Sequence, residues 1–185
     1  MPEIGRRIVV YGPASTGKTT VASRIARSIG APHVELDAVF WLPDWTPKPE
    51  EEFRADVSAL LEKYPGGWVF DGNYRLVRDL ILPLADTVVW LHPPFLVACW
   101  WLWKRTISRA WRRDILWGTN YESFRQSFFS RDSLILYQMT HWRRSLKRTA
   151  SALVEITNNA SVFELRSARE VNEFLASLAS AAGTS

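Results

Sequence analysis

Gly12-Pro13-Ala14-Ser15-Thr16-Gly17-Lys18-Thr19 carries the spacing G-x-x-x-x-G-K-[ST]. This spacing limits the fold sharply, because such a loop works only between a buried strand and the start of a helix. Arg6 to Tyr11 ends in a β-branched apolar run, so a buried strand is expected before it. Val21, Ala22, Ile25, Ala26 and Ile29 follow at helical spacing, and Gly30 reads as the helix C-cap. In that setting Gly12 and Gly17 let the backbone curl, so that successive N–H groups face inward as a nest for phosphate oxygens. The helix dipole favours the same anion. Lys18 reaches the β- and γ-phosphates, and the Thr19 hydroxyl ligates Mg²⁺. Residues Gly12 to Thr19, with Thr20, are therefore the candidate nucleotide-binding set. An ordinary glycine turn between strand and helix is the alternative.

Strand-like runs alternate with helical patterns along the chain, which argues an α/β fold with a mainly parallel sheet. Strands are expected at His33–Leu36, ending at Asp37, at Trp68–Phe70, at Thr87–Leu91 and at Ser161–Leu165. Helices are expected over 49–63, 75–84 and 167–179. Phe40 to Pro47 reads as a Trp/Pro-rich loop, and 95–155 as a long basic helical region broken near 113–121 and 130–132. The 185 residues suit one domain spanning 1–185, with an inserted basic lid at about 104–132. The longest apolar stretch, Val88 to Trp103, is interrupted by His92, Pro93 and Pro94 and is too short to span a membrane. A single cysteine, Cys99, forms no internal disulfide, and the N-terminal residues lack a signal peptide's apolar region. A cytoplasmic protein that does not engage membranes is the expectation.

Charge is uneven. Segment 104–148 holds eleven Lys/Arg against three acids, a balance of +8, whereas the rest holds twelve basic and sixteen acidic groups, or −4. A basic region on an acidic body calls for a polyanion: nucleotide phosphates, a phosphorylated substrate or nucleic acid.

Ligands of parallel sheets bind beyond the C-terminal strand ends. Asp71 follows an apolar strand there and is read as a Mg²⁺-holding aspartate beside Thr19; capping the next helix is the other reading. Gly72 stands next to it, where many ATP-hydrolysing relatives of this motif place a water-activating Glu, and this leans toward transfer to a bound acceptor. Asp37 is positioned to take a proton from an acceptor hydroxyl, or else to serve a turn. Arg105, Arg109, Arg112 and Arg113 lie at near-helical spacing and are read as a lid that stabilises the charge of phosphoryl transfer, against the plainer reading of a solvated basic face. Trp41 and Trp45 flank the loop past Asp37 and either pack on an acceptor or anchor the loop. The Trp-rich stretch near 100–103 is a candidate surface for a second copy of the chain. His33, His92 and His141 have no metal-ligand spacing.

Asp71-Gly72-Asn73-Tyr74 with Arg75 resembles the Asp-Gly-Phe-Pro-Arg stretch of adenylate kinases. With Leu36 to Trp45 and Leu165 to Val171, it is similar to the adenylate-kinase-related P-loop proteins labelled DNA topology modulation (FlaR-like) proteins. The resemblance implies a three-layer P-loop NTPase fold with a five-stranded parallel sheet of order 2-3-1-4-5 and an arginine lid. It also implies an acceptor region after strand two and a loop at Arg166-Ser167-Ala168 bordering the nucleotide base. Asn73, Tyr74, Arg75 and Arg78 join Asp37, Trp41 and Trp45 as candidate acceptor residues, and Arg166 joins the nucleotide set. The sequence departs from adenylate kinase at Asn73-Tyr74 and in its tryptophan loop. The expected activity is ATP- and Mg²⁺-dependent transfer of the γ-phosphate to a small molecule; a nucleotide-dependent nucleic-acid-binding protein is the second expectation. No Asn-Lys-x-Asp motif supports a GTPase.

Overall fold

A computed structural model describes residues 4–13, 15–112, 115–116, 120–121, 142, 144, 146–147, 149–151 and 160–182. For 105–112, 115–116, 120–121 and 180–182 it describes the backbone. The centre is a parallel sheet of five strands: β1 (Arg7–Tyr11), β2 (His33–Glu35), β3 (Trp68–Asp71), β4 (Thr87–Leu91) and β5 (Ser161–Leu165). Their order is β2-β3-β1-β4-β5. This is the 2-3-1-4-5 arrangement that the family resemblance implies.

Each central strand buries both faces, which explains why it reads as an unbroken apolar run rather than an alternation. Val9 and Tyr11 of β1 join Phe70, Val88 and Trp90 in one core layer, while Ile8 and Val10 join Val69, Val89 and Leu91 in the other. The first layer is covered by α3 (Glu50–Lys63) through Phe53 and Val57, and by the segment from Arg75 to Leu84 through Val77, Ile81 and Leu82. The second is covered by α1 (Lys18–Ile29) and by a C-terminal helix, Ala168–Ala182, through Phe174, Leu175 and Leu178.

Four local differences from the sequence reading bear on the site. Strand β2 stops at Glu35, and Leu36–Phe40 turns into a short helix, α2, so Asp37 sits in a first helical turn rather than at a strand end. Leu36 is buried in the core and pins that turn. Phe40–Pro47 is not an open loop: Trp41–Leu42 pairs antiparallel with Thr46–Pro47 around Pro43–Trp45. The reversal uses left-handed backbone at Asp44 (φ 60°) and Trp45 (φ 56°), which non-glycine residues adopt at a cost. The helical stretch at 75–84 is divided into a 3₁₀ turn (Arg75–Val77), a short helix α4 (Arg78–Ile81) and a second 3₁₀ turn (Leu82–Leu84). The C-terminal helix begins at Ala168 and continues to Ala182.

Helix α5 (Phe95–Arg112) ends where a break was expected, and Ile115–Leu116 pairs with Asn120–Tyr121 beyond it. No described helix is long and apolar enough to cross a membrane. Leu96, Trp100 and Trp103 are exposed on α5, with Trp100 and Trp103 stacked 5.4 Å apart.

Candidate functional site

The loop from Gly12 to Gly17 joins β1 to α1, and Gly17 is the N-cap of that helix with φ 84°. Only glycine adopts this conformation without strain. Gly12 is fixed by space: a Cβ there would lie 2.8 Å from the Leu91 carbonyl oxygen and from Thr16 Oγ1. Inside the curl, Thr16 Oγ1 donates to the Pro13 carbonyl at 2.9 Å, and Lys18 Nζ donates to the same oxygen at 2.9 Å. Ser15 is held at φ 61°. The fold thus brings Gly12, Pro13, Ser15, Thr16, Gly17, Lys18 and Thr19 together at one helix N-terminus, with Thr20 in the first turn of α1; Ala14 lies outside the described residues.

A cavity of about 340 Å³ opens beside this loop, lined among others by Ser15, Thr16, Thr20, Trp101, Ser167 and Ala168. It joins the phosphate loop to the segment after β5. Arg166 itself is two-thirds exposed and forms a paired contact with Glu164 (Nε 3.1 Å, Nη2 3.0 Å). Glu164 also meets His92 Nδ1 at 2.9 Å. The Arg166 guanidinium first, and His92 second, hold the Glu164 carboxyl below its ordinary range. Ser167 and Glu170 exchange contacts at the start of the C-terminal helix: the Glu170 N–H donates to Ser167 Oγ, while the Glu170 carboxylate accepts from Ser167 Oγ and from the Arg166 N–H. This reciprocal cap fixes the wall of the cavity.

Asp71 ends β3 in register with Val10 and Glu35, and is 2 % exposed. One of its oxygens, Oδ2, lies 2.9 Å from His33 Nε2. Thr19 Oγ1 lies 3.4 Å from Glu35 Oε1, donating to it. Thr19 and Glu35 therefore meet at the C-terminal edge of the sheet, with Asp71 in register on the neighbouring strand. Hard oxygen donors of this kind suit Mg²⁺, which takes one or two carboxylates and fills its shell with water and phosphate oxygens. Glu35 and His33 escaped the sequence reading. Their alternation with buried Val34 places both on the side of the strand that Asp71 meets, and that parity was the available signal.

The acceptor-side candidates gather on the other flank of the loop. The Tyr74 hydroxyl donates to Asp37 Oδ1 at 2.5 Å, and Trp41 is hydrogen-bonded to the Tyr74 side chain. Burial, and then the Asp37 charge beside it, push the Tyr74 hydroxyl well above its ordinary range. Tyr74 therefore stays a donor, and Asp37 Oδ2 has no protein partner among the described residues. Phe40 packs against Trp41 (5.0 Å), Phe53 (5.0 Å) and Tyr74 (4.8 Å), which holds this group in place. Trp45 meets Trp41 edge-on at 5.7 Å. Asn73 turns instead to the phosphate loop: Gly12 N–H donates to its Oδ1 at 3.3 Å, and its Nδ2 donates to the Gly12 carbonyl at 2.8 Å. Arg78 lies over the Tyr11 ring, 5.9 Å from its centroid, and Arg75 is exposed one turn earlier.

Of the expected lid, Arg113 lies outside the described residues, and Arg105, Arg109 and Arg112 are described only as backbone of α5. The Asn120–Tyr121 strand approaches the Pro43–Trp45 turn.

No family model matches the chain, and no curated protein matches it. Among solved structures, a gluconokinase from Sinorhizobium meliloti 1021 is similar, with a TM-score of 0.52 and 21 % identity over 97 % of this chain and 94 % of that one. A sugar kinase from Janibacter sp. HTCC2649 aligns at 18 % identity over 97 % and 92 % of the two chains, at a TM-score of 0.46. At this identity the gluconokinase likeness speaks to the fold: the chain adopts a P-loop kinase-like fold, a five-stranded parallel sheet with flanking helices.

Proposed function

We propose that the chain is an ATP- and Mg²⁺-dependent phosphotransferase acting on a small-molecule alcohol. One observation carries this reading. A phosphate loop and a carboxylate, Asp37, with one oxygen unpartnered among the described residues, stand at the same edge of one sheet, with no Glu after Asp71 to activate water. The loop amides and Lys18 hold the phosphates of ATP, and the cavity reaching Ser167–Ala168 receives its base. Thr19, with Asp71 and Glu35 nearby, would hold Mg²⁺, which neutralises charge on the transferring phosphate. Asp37 takes the proton of the acceptor hydroxyl as that oxygen bonds to the γ-phosphorus; the bond to the bridging oxygen breaks, and ADP leaves with it. Trp41, Trp45, Tyr74, Arg75 and Arg78 form the acceptor wall. The 104–132 insert, with Arg105, Arg109, Arg112 and Arg113, closes over the transferring group as part of one domain. The setting is cytoplasmic, and the exposed Trp100–Trp103 face of α5 is offered to a second copy of the chain.

The similarity of Asp71–Arg75 and Leu36–Trp45 to adenylate-kinase-related DNA topology modulation proteins supports the same reading. Names among the structural neighbours, gluconokinase and sugar kinase, make polyols the first acceptors to try. The test is a panel of alcohols scored for ADP release with ATP and Mg²⁺. Stimulation by one class, lost in Asp37→Asn, supports the proposal; full transfer activity in Lys18→Ala refutes it. The +8 balance of 104–148 favours one other reading, nucleotide-dependent binding of nucleic acid. That reading requires duplex affinity that falls steeply with salt.

A further inference from the structure

We infer that the acceptor is an anionic alcohol, one carrying a carboxylate or a phosphate, and that Arg78 holds its anionic end. The inference rests on the kinase reading above for the word acceptor, but its binding arm does not depend on turnover.

Arg78 opens α4, and its guanidinium lies over the ring of Tyr11, 5.9 Å from the centroid. Tyr11 is buried at the C-terminal end of β1, one residue before Gly12. A half-buried cation is therefore fixed at the ligand-binding edge, beside the phosphate loop. Two other cations of this flank are neutralised within the protein. Lys48 pairs with Asp56, and Arg54 grips both oxygens of Asp79, the acid next to Arg78 in sequence. Among the described residues Arg78 pairs with no carboxylate. A guanidinium offers five donors, and an aromatic face attracts its charge without accepting them as a carboxylate does.

Two neighbours extend the surplus. Arg75, in the 3₁₀ turn that precedes α4, also meets no carboxylate among the described residues, and like charges three residues apart repel unless an anion lies between them. Trp90 sits beside Tyr11 in the β1–β4 register and in the same core layer, and its buried Nε1–H has no acceptor among the described residues. A neutral polyol brings donors of its own and leaves this imbalance unchanged. An oxyanion brings acceptors only, and a guanidinium fork matches carboxylate and phosphate alike. Asp37 repels an anion, so the charged end turns to Arg78 and a hydroxyl is left facing Asp37. The same two charges would then select the acceptor and orient it.

The test uses matched probes: glucose, gluconate and glucose 6-phosphate, and adenosine with AMP. Binding is measured by calorimetry on the full chain saturated with a non-hydrolysable ATP analogue, and transfer is measured separately with ATP and Mg²⁺. The inference expects the anionic member of at least one set to bind at least tenfold tighter than its neutral partner. The carboxylate and phosphate arms identify which anion is used. Arg78→Gln should erase that preference, and Arg78→Lys should restore part of it; unchanged thermal unfolding of both variants shows that they fold. Equal binding of neutral and anionic members, no binding by any probe, or a preference that survives Arg78→Gln overturns the inference. Anion binding that depends on Arg78 without any phosphoryl transfer upholds the site and refutes the kinase reading.

Discussion

The two flanks of the phosphate loop are built from different materials. The flank proposed for the donor is made of backbone: amides at a helix N-terminus, two glycines chosen for conformation and space, and one lysine. The flank proposed for the acceptor is made of side chains: a Trp41–Tyr74–Asp37 hydrogen-bonded row, an aromatic packing around Phe40, and an arginine over a tyrosine ring. A phosphate presents the same oxygens in every nucleotide, so a fixed curl of main chain serves it. An acceptor differs from enzyme to enzyme, and only side chains can record that difference.

Substitutions can break the contrast. Asp37→Asn should act on the acceptor flank alone, lowering transfer by about 10²–10⁴-fold while a fluorescent ATP analogue binds unchanged; weakened nucleotide binding would show that the flanks are not separate. Lys18→Ala should lower transfer by about 10²–10³-fold, the loss of one charged stabilising contact, and should weaken nucleotide binding as well. Asn73→Ala removes the two contacts to Gly12 and should weaken nucleotide binding by about tenfold, although Asn73 belongs by sequence to the acceptor segment. The smallest effect falls at Glu164, beside the segment that walls the cavity. Its carboxyl is held below its ordinary range, so its contribution is present above the unfolded pKa and is lost as pH falls through the lower folded value. Glu164→Gln should therefore flatten the acid limb of thermal stability by only a few tenths of a kcal/mol, because the Arg166 contact is exposed.

The sequence disclosed the strand–loop–helix curl and the strands of the sheet because these follow from local rules. Ile8–Tyr11 and Thr87–Leu91 are apolar on both faces, and Gly12 and Gly17 mark the curl. Asp37, Trp41 and Tyr74 were recognisable as candidates, but not their connection. The Tyr74–Asp37 bond spans 37 residues and depends on α2 replacing the end of β2. The hairpin at 41–47 was hidden because its left-handed residues are Asp44 and Trp45, where glycine would have announced the turn. The His33–Asp71 contact arises from the register of two strands, which no local pattern records.

Asn73 grips Gly12 from both sides, accepting from its N–H and donating to its carbonyl. The segment that carries Tyr74, Arg75 and Arg78 cannot shift without displacing the first glycine of the phosphate loop. An acceptor that draws this segment inward would change the affinity for ATP, and thermodynamic reciprocity requires ATP to change the affinity for the acceptor by the same factor. Measured with both ligands, the chain should show synergy, and Asn73→Ala should abolish it.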